Sequence, residues 1–457
     1  MSPSMNYRQC IAAILVLLAS GALHSDAAPT KPNIVFILID DMGCKDAGCY
    51  GATNFSTPHI DRLANQGMRF TDAYAAPVCS PTRASLMTGK HPARLHLTNF
   101  IPQIGRQLPA GKLIPPGFNH VLPLDEKTIA QELHADGYQC AMIGKWHLGE
   151  EHGPEYRPQN RGFDRVVLSE HHGIFNYFYP FVDQQKWPYA GPLPGNPGDY
   201  LPDRLTDEAI DFVRENRERP FFLYLSHWSV HGRYFAPESL IAKYRERGLE
   251  ERPAIYAAMM ETVDNSVGRL MATLDELNLA DNTLFVFMSD NGGERITSMA
   301  PLRGSKGSLY EGGVRVPLIV RYPGVVKPNT TCSVPVISHD LFPTFLDFAE
   351  RSYRDNKLDG HSIAGLLTGE QSELDRDALY WHFPHYWGST RPCSAMRQGR
   401  WKLVEHLETG RAQLYDLSSD PGEQRDLANE MPQQATELRK MLAQWRTKVG
   451  AQMPTHP

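Results

Sequence analysis

The chain carries no block of Lys or Arg residues, no Cys-x-x-Cys pair, no internal repeat, and no long apolar run beyond its N-terminal segment. Each absence removes a class of function. Without a basic block, and with a net charge of −6, there is no electrostatic footprint for nucleic acid. An anionic small substrate stays open, because it needs only local cations that a bulk count does not reveal. Without paired Cys-x-x-Cys ligands there is no thiolate metal cluster to read, and without further apolar runs there is no stable membrane span. Cysteine itself is scarce, at 7 of 457 residues.

What remains is the composition of a globular protein, 41% hydrophobic and 21% charged. The length exceeds one ordinary domain, so one large domain with a smaller companion is expected.

Arg8 precedes an apolar stretch over residues 11–23, and Ser25-Asp26-Ala27 then supplies a small-x-small pattern. Residues 1–27 are therefore expected to be a signal peptide cleaved after Ala27, leaving a secreted or periplasmic protein; a non-cleaved anchor is the alternative. Cys10 lies before the apolar stretch, which excludes a lipoprotein attachment site. Six cysteines follow: Cys44, Cys49, Cys79, Cys140, Cys332 and Cys393. They allow three disulfides in an oxidising compartment, but five usable thiols if Cys79 is chemically special. Cys44 and Cys49 are close enough to pair, and spacing alone leaves that pairing open.

Short continuous apolar runs at residues 34–39, 139–143, 221–225, 284–288 and 317–320 read as parallel strands buried on both faces. Helical patterns lie between them, at residues 128–136, 203–216 and 254–277. The alternation predicts an α/β domain over residues 28–370, with a large, mostly parallel sheet sandwiched by helices. Residues 101–123 and 187–202, rich in Pro and Gly, read as long surface loops. Over residues 371–457 the texture changes to short strands (378–382, 394–397, 401–405, 413–416) and a final amphipathic helix at 432–449. That predicts a smaller antiparallel sheet carrying a C-terminal helix.

Four of the strand candidates end directly in reactive side chains. The first runs into Asp40-Asp41, the second into Lys145-Trp146-His147, the third into His227 and then His231, and the fourth into Asp290-Asn291. Ligands of open α/β sheets sit at the carboxyl ends of strands. One polar strand end is routine; four that together supply carboxylates, an amide, a lysine and histidines are not. Asp40, Asp41, Asp290 and Asn291 offer only oxygen, the donor preferred by hard cations such as Ca²⁺ or Mg²⁺. His is absent from these pairs, which argues against a two-zinc phosphatase centre.

The segment Cys79-Ser80-Pro81-Thr82-Arg83, continuing to Thr88-Gly89-Lys90, resembles the signature of the sulfatases. Three fixed residues in five recur by chance, so the context decides. Asp40-Asp41 precedes it; Gly144-Lys145-Trp146-His147-Leu148-Gly149, Ser289-Asp290-Asn291-Gly292-Gly293, Arg303-Gly304-Ser305-Lys306-Gly307 and Glu311-Gly312-Gly313-Val314-Arg315-Val316-Pro317 follow in the family's order. The resemblance runs from about Pro32 into the C-terminal segment.

It implies a formylglycine-dependent hydrolase of sulfate monoesters in the alkaline-phosphatase-like superfamily. Cys79 would be converted to formylglycine (3-oxoalanine) by a maturation enzyme reading Cys-x-Pro-x-Arg. The hydrated aldehyde offers one oxygen to attack sulfur and a second to expel sulfate afterwards, whereas a serine would be left as a stable ester. On this likeness Asp40, Asp41, Asp290, Asn291 and the residue made from Cys79 would hold one Ca²⁺. Arg83 would orient the formylglycine, and Lys145 and Lys306 would clamp sulfate oxygens. His147 would take a proton as sulfate leaves, and His231 would protonate the leaving alkoxide. Two positions depart from the family pattern: Gly232-Arg233 stands where Thr-Pro usually follows the histidine, and Cys44 where an aromatic residue is common. His227 is the competitor of His231 for the acid.

The expected substrate is a sulfated carbohydrate, of galactose or N-acetylgalactosamine units, or an aryl sulfate. Glu170-His171-His172 with Phe175, Tyr177, Phe178 and Tyr179 is one candidate sugar platform, and the run from Trp381 to Trp387 another. A phosphomonoester or phosphodiester hydrolase of the same superfamily is the competing enzyme, disfavoured by the full Cys-x-Pro-x-Arg. A non-catalytic protein binding sulfated glycans would lack a site residue, and none is lacking.

Overall fold

The computed structural model describes residues 31–169, 176–183, 191, 193–353 and 357–457. The N-terminal apolar segment, Glu170, His171, His172, Phe175 and Trp187 lie outside these. Lys31–Pro457 forms one compact unit.

The strands in chain order are β1 (Asn33–Ile39), β2 (Met68–Phe70), β3 (Ala73–Tyr74), β4 (Gln139–Gly144), β5 (Arg165–Val167), β6 (Phe221–Ser226), β7 (Thr283–Ser289), β8 (Leu318–Arg321), β9 (Thr330–Cys332) and β10 (Val336–Ile337), then β11 (Leu379–Phe383), β12 (Cys393–Gln398), β13 (Trp401–His406) and β14 (Ala412–Asp416). The helices are α1 (Pro58–Asn65), α2 (Cys79–Thr88), α3 (Ile129–Ala135), α4 (Leu201–Glu215), α5 (Glu238–Glu246), α6 (Glu251–Glu276), α7 (Glu311–Val314), α8 (Leu341–Phe348), α9 (Ala364–Thr368) and α10 (Pro432–Val449). Eight strands form the large sheet in the order β5-β4-β6-β1-β7-β8-β2-β9, and β11 to β14 form an antiparallel sheet of four.

The continuous apolar runs have a direct cause. In β1, Val35, Ile37 and Ile39 enter one core with Leu205 of α4 and Val263 of α6. Ile34, Phe36 and Leu38 enter the opposite core with Leu86 of α2, Leu133 of α3 and Phe345 of α8. A strand covered by helices on both sides has no polar face to show.

One strand direction differs from expectation. The run at 317–320 forms β8, which pairs antiparallel with both β7 and β2. A parallel return needs a crossover of a dozen or more residues, usually helical, back to the starting edge. Here the chain leaves β7, stays at the carboxyl end through residues 290–317, and enters β8 from there. Burial on both faces produces the same apolar run in either direction.

The small sheet bridges two cores. One face packs on α10 through Met396, Leu403, Leu414, Leu438 and Leu442. The other face packs Trp381, Phe383 and Val404 against Val78 and Cys79, which open α2, and against Phe100.

Candidate active site

In the sheet order β4-β6-β1-β7, the four strands with reactive ends are immediate neighbours. Asp40, Asp41, Lys145, Asp290 and Asn291 are fully buried around one point, Lys306 is 8% exposed, and Cys79 is 3% exposed. Asp41 and His147 adopt left-handed backbone conformations, with φ of 66° and 60°. Such conformations cost about 1–3 kcal/mol and persist where surrounding structure over-determines them. Gly144 is required where β4 delivers Lys145. Its φ is +106°, and a Cβ there would lie 1.9 Å from the Ser226 carbonyl oxygen.

Cys79 is the first residue of α2, with its Sγ 3.2 Å from Nδ1 of His147. Nε2 of His147 sits 2.8 Å from the Ile101 carbonyl. A carbonyl only accepts, so Nε2 carries the proton and Nδ1 turns a lone pair toward residue 79. The loop holding His147 is tied by Glu150, which accepts from the backbone N–H groups of His147, Leu148 and Gly149. Burial pushes the Cys79 thiol above its ordinary range, only partly opposed by Lys145. An unmodified thiol here is a weak source of thiolate.

Arg83 lies one turn along α2 with no exposed surface. Its Nε and Nη2 donate to Asp290 Oδ2 at 3.1 and 2.7 Å, and Nη1 donates to the Lys145 carbonyl at 2.7 Å and Ser226 Oγ at 2.5 Å. Arg83 thus ties together the ends of β4, β6 and β7. Burial works against its charge, and Asp290 and Asp40 outweigh that and hold the guanidinium charged. Burial, and then the neighbouring charge of Asp40, push Asp290 up to about 7. Asp40 goes the other way: Lys145, His231 and Arg83 overcome its burial and hold it well below the usual carboxylate range.

Lys145 donates to Asp40, and Lys306 to Asp41 Oδ2 at 2.6 Å. Asn291 Nδ2 donates to Asp41 Oδ1 at 2.8 Å, and the Asp41 N–H donates to Asp290 Oδ1 at 3.2 Å. Lys306 is brought in by its backbone. Its N–H donates to the Gly293 carbonyl, and the next N–H, of Gly307, donates to the Pro77 carbonyl just ahead of Cys79.

The donor set fits a hard divalent cation. Three carboxylates and an amide converge with oxygen alone, and two of their buried oxygens, Asp40 Oδ1 and Asn291 Oδ1, accept no hydrogen bond. A buried polar atom left without a partner costs about 1–3 kcal/mol, so two within this cluster fit a site that takes a ligand. His231 adds a nitrogen, its ring lying within 4.8 Å of the Asp40 and Asp41 oxygens.

The two histidines after β6 part company. His231 is one-third exposed, with Nε2 3.7 Å from Asp41 Oδ2 and Nδ1 2.5 Å from the Gly232 carbonyl. His227 is buried on the α6 side, with Nε2 3.0 Å from Ser266 Oγ, and burial lowers it to about 4.

This arrangement places a buried thiol against an imidazole nitrogen, beside clustered carboxylates and two lysines. A family model described as Sulfatase matches residues 32–350. The chain belongs to the sulfatase family. A second model, N-sulphoglucosamine sulphohydrolase, C-terminal, matches residues 305–449 of this sulfatase. Arylsulfatase A of Homo sapiens is 33% identical over 471 residues, covering 91% of this chain and 86% of its own length. The N-acetylgalactosamine-6-O-sulfatase of Bacteroides thetaiotaomicron is 29% identical over 504 residues, covering 92% and 94%. The crystal structure of Ps i-CgsB in complex with k-i-k-neocarrahexaose is 32% identical with a TM-score of 0.78, covering 91% and 93%. The enzyme is accordingly a sulfuric ester hydrolase.

Among the described residues every cysteine, Cys44 and Cys49 included, is an unpaired thiol, and no helix is long and apolar enough to cross a membrane. Of the first aromatic platform only Tyr177, Phe178 and Tyr179 lie among the described residues. Tyr177 is buried, its hydroxyl donating to the Trp228 and His231 carbonyls, so it braces the His231 loop. Phe178 and Tyr179 pack on Tyr200 and Phe181. Trp381 is core, donating to the Ala75 carbonyl. Trp387, at the far end of that run, lies with its ring 5.7 Å from Lys306 Nζ. Sequence reading missed Ser226, Glu150 and the Ile101 carbonyl; the acidic residue three positions after His147 was the one available signal.

Proposed function

We propose that this sulfatase hydrolyses sulfate monoesters of carbohydrates, using a formylglycine made from Cys79 and one bound Ca²⁺, outside the cytoplasm. The observation that carries the reading is Cys79 set 3.2 Å from Nδ1 of His147 beside the carboxylate cluster. Formylglycine supplies a hydrated aldehyde, with one hydroxyl to attack sulfur and another to release sulfate. Asp40, Asp41, Asp290 and Asn291, with the oxygen at position 79, would hold the Ca²⁺, which supplies Lewis-acid polarisation of the nucleophile and of a sulfate oxygen.

The chain's own residues do the rest. His147, its tautomer set by Ile101, takes the proton from residue 79 at Nδ1. Lys145 and Lys306 neutralise sulfate oxygens as charge develops. Arg83 is a positioning residue, acting on position 79 through Asp290 and the β4 end. His231, with Nδ1–H directed at Gly232, presents Nε2 toward the carboxylate cluster, 3.7 Å from Asp41 Oδ2. Protonated there, it donates to the departing alkoxide, which a sugar needs more than an aryl ester does. Export by residues 1–27 and a maturation enzyme acting on Cys79 complete the proposal.

Carbohydrate is favoured by the relatives named for N-acetylgalactosamine-6-O-sulfate and bound to a neocarrahexaose. Galactose and N-acetylgalactosamine sulfates are the first to test. The experiment is turnover of a panel of position-defined sulfated monosaccharides beside their matched phosphate esters. The expected result is desulfation of at least one sugar at a rate above its phosphate. Preference for the phosphate would assign the chain to the competing phosphohydrolase reading, and binding without any turnover to the non-catalytic one.

A further inference from the structure

Beside Lys306 opens a cavity of about 670 Å³ that none of the assigned steps uses, within the size of typical ligand pockets. Lys306, Trp387, Tyr310 and Arg303 line it together with the exposed Arg295 and Arg391.

Three observations indicate what it takes. First, Trp387 is held as a fixed plate. Its backbone N–H and carbonyl pair with Thr390 at 3.2 and 2.7 Å, and Phe100 meets its ring edge-on at 5.1 Å. Residue 307 is glycine at φ +83°, and a Cβ there would lie 1.9 Å from the indole. The chain beside Lys306 is therefore bare where the indole lies against it. Aromatic faces fixed in this way are low-entropy contact surfaces for an amphipathic ring.

Second, the cavity is cationic. Arg295 Nη2 donates to Ser389 Oγ at 2.9 Å, and Arg391 Nη1 to the Gly388 and Thr390 carbonyls at 3.3 and 3.5 Å. Among the described residues neither guanidinium has a carboxylate partner. The cavity's one carboxylate, Glu294, accepts from the Tyr234 hydroxyl at 2.6 Å and lies 3.7 Å from Lys306 Nζ, so it offsets one of the four cations, Lys306, Arg295, Arg303 and Arg391, that line the cavity. Third, the cavity shares Lys306 with the reaction centre, so whatever fills it adjoins the scissile group.

We infer that this cavity seats the sugar unit next to the one being desulfated, with Trp387 against the ring and Arg295 and Arg391 on a second oxyanion, sulfate or carboxylate, that this unit carries. The inference rests on the carbohydrate reading above. The enzyme is then selective for polyanionic oligosaccharides over singly charged esters.

The test uses inhibition of aryl sulfate hydrolysis by three disaccharides. All carry the same sulfated first sugar, and the neighbouring unit is sulfated, carboxylated or neutral. In wild type the two anionic neighbours should bind roughly five- to thirtyfold more tightly than the neutral one, as two partly solvated charge pairs allow. That preference should shrink with added salt. Arg295→Ala with Arg391→Ala should abolish the preference, and Trp387→Ala should weaken all three disaccharides while Trp387→Phe restores most of the loss. Aryl sulfate turnover should stay within about twofold in the arginine variant, both residues being exposed. Disaccharides that bind with no preference for an anionic neighbour, or a preference that survives the double substitution, would overturn the inference and leave the carbohydrate reading standing. Aryl sulfate turnover that none of the disaccharides inhibits would instead remove the carbohydrate reading, and the inference with it.

Discussion

Nδ1 of His147 faces Sγ of Cys79 at 3.2 Å, while the opposite nitrogen of the same ring is fixed by the Ile101 carbonyl. One backbone carbonyl thus selects the tautomer that can accept a proton from residue 79. His147→Ala is expected to release one equivalent of nitrophenol from an activated aryl sulfate and then slow by roughly 10²–10⁴. Stopped-flow absorbance reads both phases. Steady turnover at the wild-type rate would remove His147 from the reaction.

The carboxylate cluster makes the metal testable without a loss of fold. Asp290→Ala would take from buried Arg83 its nearer carboxylate, leaving Asp40 at 3.8 Å, at a cost of up to roughly 3–5 kcal/mol. Asp290→Asn keeps the shape, and its metal content and activity should fall together. Chelation of the wild type should abolish activity, with Ca²⁺ restoring it better than Zn²⁺, because the acidic donors offer only oxygen. Restoration by Zn²⁺ above Ca²⁺ would contradict the assignment.

The acid is separated from the sulfate clamp by the leaving group. His231→Ala should lose roughly 10²-fold or more in kcat/KM on a sugar sulfate and distinctly less on a nitrophenyl sulfate. Lys306→Ala should damage both, since the sulfate is common to them. His227, bonded to Ser266 inside the α6 face, should show no leaving-group dependence when replaced by Ala. Equal losses on both substrates in His231→Ala would make that residue a sulfate binder.

Asp264 of α6 links stability to pH. It is buried and accepts from the backbone N–H groups of His59 and Ile60, at the start of α1, whose own cap residue Thr57 makes no side-chain cap bond. Burial raises its carboxyl to about 7. A carboxyl raised on folding contributes stability that is full below its unfolded value and lost as pH rises through the folded one. The Tm of Asp264→Asn relative to wild type should therefore climb between about pH 4 and 7 and level off above. A flat difference over that range would show that the carboxyl is not raised.

Much of this centre was legible in the sequence, for a physical reason. Strands covered on both faces are continuous apolar runs, so the residues that end them stand out, and β4, β6, β1 and β7 proved to be neighbours. Contacts formed by distant segments left no such trace. Ser226 looks like any strand-end serine until Arg83 reaches it. Tyr177 belongs to an aromatic run that reads alike whether it stacks on sugar or braces His231 from within. Trp387 meets Lys306 only because the C-terminal sheet packs on the start of α2. The direction of β8 was hidden for the same reason that its burial was plain.

Mass spectrometry of the peptide containing Cys79, taken from enzyme of measured specific activity, tests the central claim most directly. The peptide should be about 18 Da lighter than the thiol form, as for an aldehyde, and the modified fraction should track activity across preparations. Fully active enzyme whose Cys79 is entirely unmodified thiol would contradict the account.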